Sequence, residues 1–192
     1  MQPTPTRRHL VWPLVIIVGV VVVDQITKIW AVDYLSTRQS VEVLGDFFRL
    51  TLVYNTGGAM GTRIGPSVYY LAMALIVLPV LLYYVYRNRG IRMIAWPLSF
   101  IAGGAIGNLI DRIRLGKVVD FLDFDFFNID LLGFTMDRYW AFNIADSAIT
   151  CSIVFLVFVM LFVYREPHGA ETPTTESSDT DLPVNEDKNT VD

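Results

Sequence analysis

Five aspartates, Asp111, Asp120, Asp123, Asp125 and Asp146, stand near the ends of apolar runs in this chain. Near them in type and spacing are Asn108, Asn143 and Arg112. Two carboxyl groups brought to hydrogen-bonding distance share one proton, because both cannot ionise cheaply so close together. One carboxylate then acts as general base on a water. Its protonated partner polarises a carbonyl and later helps protonate a leaving amine. That chemistry is amide hydrolysis, and it needs no cofactor. Spacing alone leaves the pairing open among the five aspartates.

Other chemistries find less support. The single cysteine, Cys151, permits no internal disulfide and no cysteine-rich metal site. It is expected to pack as a small apolar side chain. His9 and His168 lie near opposite ends of the chain, which argues against a histidine-ligated metal or a Ser-His-Asp triad. A Ser-Lys protease built on Ser147 and Lys28 needs a lysine desolvated beside the serine. Lys28 instead has Asp24 four residues before it, and Ser147, next to Asp146, points to a different helix face. An enzyme with Mg²⁺ held by aspartates would favour dense Asp motifs on one helix. The strongest motifs here are on separate segments. A small transporter or channel would spread carboxylates through the membrane depth or repeat its spans internally. Neither pattern is present.

The elements that must position these residues are membrane helices. Of 192 residues, 53% are apolar and 18% charged, and the mean hydropathy is +0.45. Such a composition excludes a disordered chain, a collagen-like fibre and a disulfide scaffold. A membrane-spanning helix needs about 20 mostly apolar residues. Four stretches qualify: 10–35, 68–86, 93–110 and 139–164. The second and third carry no charge, and the fourth carries only Asp146. A soluble bundle would require polar helix faces, which the second and third lack. The expected fold is an all-α membrane protein of four spans, with a small outward β-hairpin or sheet and an aromatic-rich outer loop.

Arg7, Arg8 and the apolar run after them mimic a secretory signal peptide. No small-residue cleavage site follows; Asp24, Gln25 and Lys28 follow instead, which reads as an uncleaved first span. Arg7 and Arg8, then Arg87, Arg89 and Arg92, then Arg165 flank the same side of the spans. The positive-inside rule therefore puts both termini and the short 87–92 link in the cytoplasm. The connections 36–67 and 111–138 then face outward. Val41, Val43 and the run from Phe48 to Tyr54 alternate around Gly45-Asp46, which predicts a hairpin. The second connection carries Phe121, Phe124, Phe126, Phe127 and Phe134, and Tyr139 and Trp140 follow it. These aromatics suit the lipid–water interface, or a platform beside a lipid-exposed site. Residues 1–165 form the predicted membrane domain. Residues 166–192 hold eight acidic side chains against Lys188, a net −7 that leaves +3 on the rest. That tail has too little apolar surface to offset its ordering entropy and is expected to be disordered and cytoplasmic.

Ionisable groups inside a span are expensive and point to function by default. Asp24 and Lys28 are four apart, on one helical face, and read as an ion pair that pins the helix. At 1.5 Å per residue, Asp146 lies ~10 Å inside a span beginning at Tyr139, and Asp24 lies ~21 Å beyond Leu10. Both depths fall in the outer third of a ~30 Å core, beside the outward end of the third span and Asp120. One polar cluster near the outer leaflet is the expectation. Gly103 and Gly107 form a small-residue spacing that lets helices approach closely.

Five segments together resemble the lipoprotein signal peptidase family, also called signal peptidase II. They are Asp24-Gln25-Ile26-Thr27-Lys28, Asn55-Thr56-Gly57-Gly58-Ala59-Met60, the run from Gly103 to Arg112, Val118-Val119-Asp120-Phe121, and Phe142-Asn143-Ile144-Ala145-Asp146-Ser147. They occur in the family's order and span roughly residues 12–165. Met60 stands where the family usually has Phe, which implies altered packing of the outer hairpin. The resemblance implies an aspartyl endopeptidase of the bacterial inner membrane. It implies removal of the signal peptide from diacylglyceryl-modified prolipoproteins, just before the lipidated cysteine. It implies that Asp120 and Asp146 are the catalytic pair. Asn55, Asn108, Arg112 and Asn143 match positions that contact substrate or support the pair, and Asp24, Lys28 and Asp111 match supporting polar positions. The expected partners are those prolipoproteins and membrane lipid, with no nucleic acid, no metal and no cofactor.

Overall fold

A computed structural model of the chain describes residues 8–58, 65, 67–125, 129–131, 134–136 and 141–163. The acidic tail and several of the outer aromatics, Phe126, Phe127, Tyr139 and Trp140, lie outside the described residues.

Among the described residues, four helices are long and apolar enough to cross a membrane. They are α1 (Arg8–Leu35), α2 (Ser67–Arg87), α3 (Arg92–Leu115) and α4 (Ile144–Phe162). Between them run β1 (Ser40–Leu44), β2 (Phe48–Asn55) and β3 (Val118–Phe124), then the short β4 (Ile129–Leu131) and β5 (Phe134–Met136). By connectivity the sheet lies at one end of the bundle, opposite the α2–α3 link. Large apolar side chains such as Leu14, Ile76, Met160 and Phe162 are more than half exposed. On helices of this length the solvent that accepts them is lipid.

The centre of the bundle is α3. It packs against α1, α2 and α4, whereas α2 leans chiefly on α3 and buries only Val85. Close approach comes from three glycines, because a side chain at any of them would collide with a neighbour. A Cβ at Gly103 would meet Val20 Cβ at 2.7 Å, one at Gly104 the Ala145 carbonyl at 2.6 Å, and one at Gly107 the Asp24 Oδ2 at 2.5 Å. The small-residue spacing thus seats α1 on one side of α3, and Gly104 seats α4 on another.

Two boundaries differ from the sequence reading. The third span does not stop at 110; α3 continues to Leu115, so Asp111 and Arg112 lie within it. It ends at Gly116, whose φ of 68° turns the chain back with its N–H on the Arg112 carbonyl. Only glycine adopts that backbone readily. The fourth helix begins at Ile144, not Tyr139. Asp146 is therefore in the first turn of α4, shallower than the ~10 Å inferred from a start at Tyr139.

The predicted hairpin is present, with β1 antiparallel to β2 around the turn. The strand β3 was not foreseen. It joins the far side of β2 to make an antiparallel sheet of order β1-β2-β3. Phe121, expected at the interface, is instead core, packed with Ala31 and Leu35 under the sheet. Phe124 stacks on Phe48 at 4.3 Å and on Phe142 at 5.7 Å, so part of the aromatic set forms one block.

Candidate active site

The sheet register decides what can reach Asp120. Leu50 pairs with Leu122, but Val53 pairs with Asp120, so β2 holds one extra residue between these pairs. Such a bulge shifts every later side chain to the other face. Because of it, Asn55 lies on the same face as Asp120, diagonally across the ladder. Asn55 Nδ2 donates to Asp120 Oδ2 at 3.1 Å. Its Oδ1 accepts from the Gly57 N–H at 2.8 Å, closing an Asx-type turn over the following glycines.

Asp146 is held by a different device. Asn143 is the N-cap of α4, and its Oδ1 accepts from the Asp146 N–H at 2.9 Å. The Asp146 carboxylate accepts from the Asn143 N–H in return at 3.4 Å, which completes a capping box. The same Asn143 amide donates to Asp120 Oδ1 at 2.7 Å, to Asn108 Oδ1 at 3.1 Å and to the Val119 carbonyl at 3.3 Å. Asn108, on α3, donates to Asp146 Oδ1 at 2.8 Å. Strand, helix cap and central helix are thus tied through two amides that end on Asp120 and Asp146. Asn143 is fully buried and Asp120 is 1% exposed, while Asp146 is only partly buried.

Burial, and after it the nearby charge of Asp146, raise the Asp120 pKa to about 7 against the hydrogen bonds from Asn55 and Asn143 and the charge of Lys28, which oppose the rise. A carboxyl group with that balance retains a proton close to neutrality.

The other sequence candidates divide into two groups. Asp24, Lys28 and Asp111 form a buried cluster between α1 and α3, with Lys28 Nζ 2.9 Å from each carboxylate. Arg112 donates to the Gly57 carbonyl at 3.1 Å and holds its guanidinium 5.9 Å from the Tyr70 ring. It thereby links α3 to the turn after β2 and to α2. Asp123 points to the opposite face of β3 from Asp120 and accepts from Thr51 Oγ1 at 2.8 Å. Asp125 follows the end of the strand, with its N–H on the Phe47 carbonyl. Ser147 donates to the Asn143 carbonyl at 2.9 Å, and Lys28 is occupied by the two aspartates and Asn108, so the Ser-Lys pairing has no geometry behind it. Among the described residues, no three His, Cys, Asp or Glu side chains are grouped to hold a metal ion.

Gln25 is a further polar residue of the cluster that was not among the sequence candidates for the site. Its amide donates to Asp111 Oδ1 at 3.0 Å and to the Gly107 carbonyl at 3.2 Å, fixing α1 to α3 beside the lysine. The signal available was a neutral amide inside a membrane span, which demands partners much as a charge does. Cys151 is exposed on α4 and not packed. It lines an apolar groove of about 710 Å³ between α1, α3 and α4 that includes Val20, Phe100 and Phe155. None of the carboxylates lines that groove.

Comparison with known proteins matches residues 16–162 to the signal peptidase (SPase) II family. A lipoprotein signal peptidase of Caldanaerobacter subterraneus subsp. tengcongensis is 39% identical over 149 residues, covering 78% of this chain and 95% of that protein. One of Halothermothrix orenii is 34% identical over 147 residues, covering 76% and 92%. A solved bacterial membrane enzyme superposes with a TM-score of 0.65 at 29% identity, over 83% of this chain and 93% of its own.

Proposed function

The chain belongs to the signal peptidase II family, and from that premise we propose that it removes signal peptides from diacylglyceryl-modified prolipoproteins, with Asp120 and Asp146 as the catalytic pair. The cut falls just before the lipidated cysteine. The observation that carries this reading is the pair of amides, Asn108 and Asn143, that ends on both carboxyl groups from three separate elements.

In this mechanism Asp120 carries the shared proton and hydrogen-bonds the scissile carbonyl oxygen. Asp146 takes a proton from a water, whose oxygen attacks the carbonyl carbon. The resulting diol collapses as Asp146 returns that proton to the cysteine nitrogen, Asp120 recovers its own proton, and the C–N bond breaks. The products are a signal peptide with a new carboxyl group and a lipidated cysteine with a free amine. Burial of Asp120 supports its role as the acid, since its carboxyl keeps a proton near neutrality. No metal or cofactor enters these steps. Asn55 and Arg112 order the turn over Asp120, and Asp24, Lys28 and Asp111 support the pair from behind.

The site faces outward near the outer leaflet of a bacterial inner membrane, with both termini cytoplasmic. Arg87, Arg89 and Arg92 at the α2–α3 link support this orientation.

A gel-shift cleavage assay in detergent micelles tests the reading, using a diacylglyceryl-modified prolipoprotein. Wild type should cleave with or without chelator. Asp120→Asn and Asp146→Asn should each lose about 1,000-fold or more while still inserting and purifying. Near-normal turnover by either variant removes that residue from the pair. Chelator inactivation reversed by Mg²⁺ would point to metal hydrolysis, and a folded wild type that leaves the prolipoprotein intact would overturn the substrate.

A further inference from the structure

The ammonium of Lys28 is 3% exposed and has three donors and no acceptor. All three find oxygens at 2.9 Å: Asp24 Oδ2, Asp111 Oδ2 and Asn108 Oδ1. A side-chain amide is a two-ended group, oxygen at one end and NH₂ at the other. Because the ammonium only donates, the end of Asn108 that faces it must be oxygen. Its NH₂ must then face Asp146. The same oxygen also receives the Asn143 amide at 3.1 Å, so the end of Asn143 that faces it must be NH₂. That NH₂ also reaches Asp120 at 2.7 Å, while the Asn143 oxygen is turned to the Asp146 N–H.

The two carboxylates of the cluster act on the backbone in parallel. Asp24 Oδ1 accepts from the Ala145 N–H at 3.0 Å, and Asp111 Oδ2 accepts from the Val119 N–H at 3.2 Å. Each of these residues immediately precedes a member of the pair.

We propose that Lys28 is a positioning residue whose charge fixes the sense of the Asn108 amide, so that its N–H is delivered to Asp146 and its oxygen meets the Asn143 N–H group that also reaches Asp120. This inference rests on the Asp120–Asp146 reading given above. An ion pair that merely pins α1 to α3 would need Asp24 and Asp111 but not the contact to Asn108. That third contact carries the donor sense to the reacting groups. Without it the Asn108 amide can rotate and present oxygen to Asp146, which repels it, whereas Asn143 keeps its sense through the Asp146 N–H and the Val119 carbonyl.

The test is a double-mutant cycle between Lys28→Met and Asn108→Ala in the prolipoprotein cleavage assay, with kcat and KM measured separately. Each single change should lower kcat about 100-fold, with KM within about threefold of wild type, because misaimed donors act at the reacting atoms. The double variant should lie within about threefold of the worse single one, since the lysine acts through the asparagine. Losses that multiply to about 10,000-fold would overturn the proposal, as would a Lys28→Met protein with wild-type kcat. Lys28→Met leaves two buried carboxylates unpaired and can fail to fold. The same cycle is therefore run with K28M/D111N, which has the cluster charge of the wild type but no ammonium, against D111N as its parent. Wild-type cleavage with a silent Asp146→Asn control upholds the catalytic reading whatever the lysine variants do. An inactive wild type fails that reading and not the relay alone.

Discussion

Asn143 shows how much one side chain can specify. It caps α4, donates to Asp120 and turns the strand toward the helix through the Val119 carbonyl. Its place just before Asp146 and the family resemblance both point to it, but periodicity alone does not show that it caps the helix, because an asparagine inside an apolar run reads equally well as an end or an interruption. Gln25 is a neutral amide between the charges of Asp24 and Lys28, and spacing does not say which groups on another helix it meets. At this scale the testable property is the proton on Asp120. Its carboxyl sits at about 7 against an ordinary value of 3.8. Between these values the folded protein holds a proton that the unfolded chain has lost. The contribution of this group to stability is therefore full below the ordinary value and is lost as pH rises through about 7. Thermal unfolding in detergent from about pH 4 to 8 should show a steeper decline for wild type than for Asp120→Asn, which has no proton to lose there. Equal slopes would mean that burial does not hold the proton. Cleavage should fall on the alkaline side with a limb near 7, as the acid is consumed.

At the scale of elements, the four helices were legible because lipid leaves little choice: some 20 apolar residues in a row have few other destinations. Their ends were less so. Asp111 and Arg112 looked like the exit from the third span, yet they continue the helix because Lys28 and Gly57 answer them. The strand β3 was hidden by its burial. Val118, Val119, Asp120 and Phe121 are all buried, so no alternation of polar and apolar residues survives to announce a strand. The bulge in β2 left no sequence signal either, although it puts Asn55 beside Asp120. Helix contact at the glycines is testable. Gly104→Ala forces a Cβ against the Ala145 carbonyl, next to Asp146. It should cost about 1–3 kcal/mol and depress cleavage. Gly19, also helical, has open space around it, so Gly19→Ala should be neutral or stabilising by up to about 1 kcal/mol. Thermal unfolding and turnover of the two variants, side by side, check the claim; equal behaviour would mean the bundle relaxes freely at Gly104.

For the whole molecule, composition pointed to the membrane class and the order of motifs to the family, while the arrangement of helices around α3 had to be seen. The charge asymmetry of the chain belongs to this scale. The tail carries −7 over residues 166–192, beyond the match to the family, which ends at 162. Truncation after Glu166 is expected to leave specific activity in micelles unchanged, and a collapse in turnover would show that the tail serves the reaction.

The cluster between α1 and α3 also governs how the chain can be made. During synthesis α1 enters the membrane first, carrying Asp24 and Lys28 as a self-compensating pair one turn apart. Its next neighbour in sequence, α2, offers neither charge nor amide within the span to complete that pair. The completing groups, Asn108 and Asp111, arrive only with α3, and the backbone N–H of Ala145 only with α4. Assembly therefore cannot proceed by closing each new hairpin on the last. The first helix waits in the bilayer, half-satisfied, until the third emerges; Asp120 can then dock with β3 on β2, and Asp146 takes its place only with the fourth.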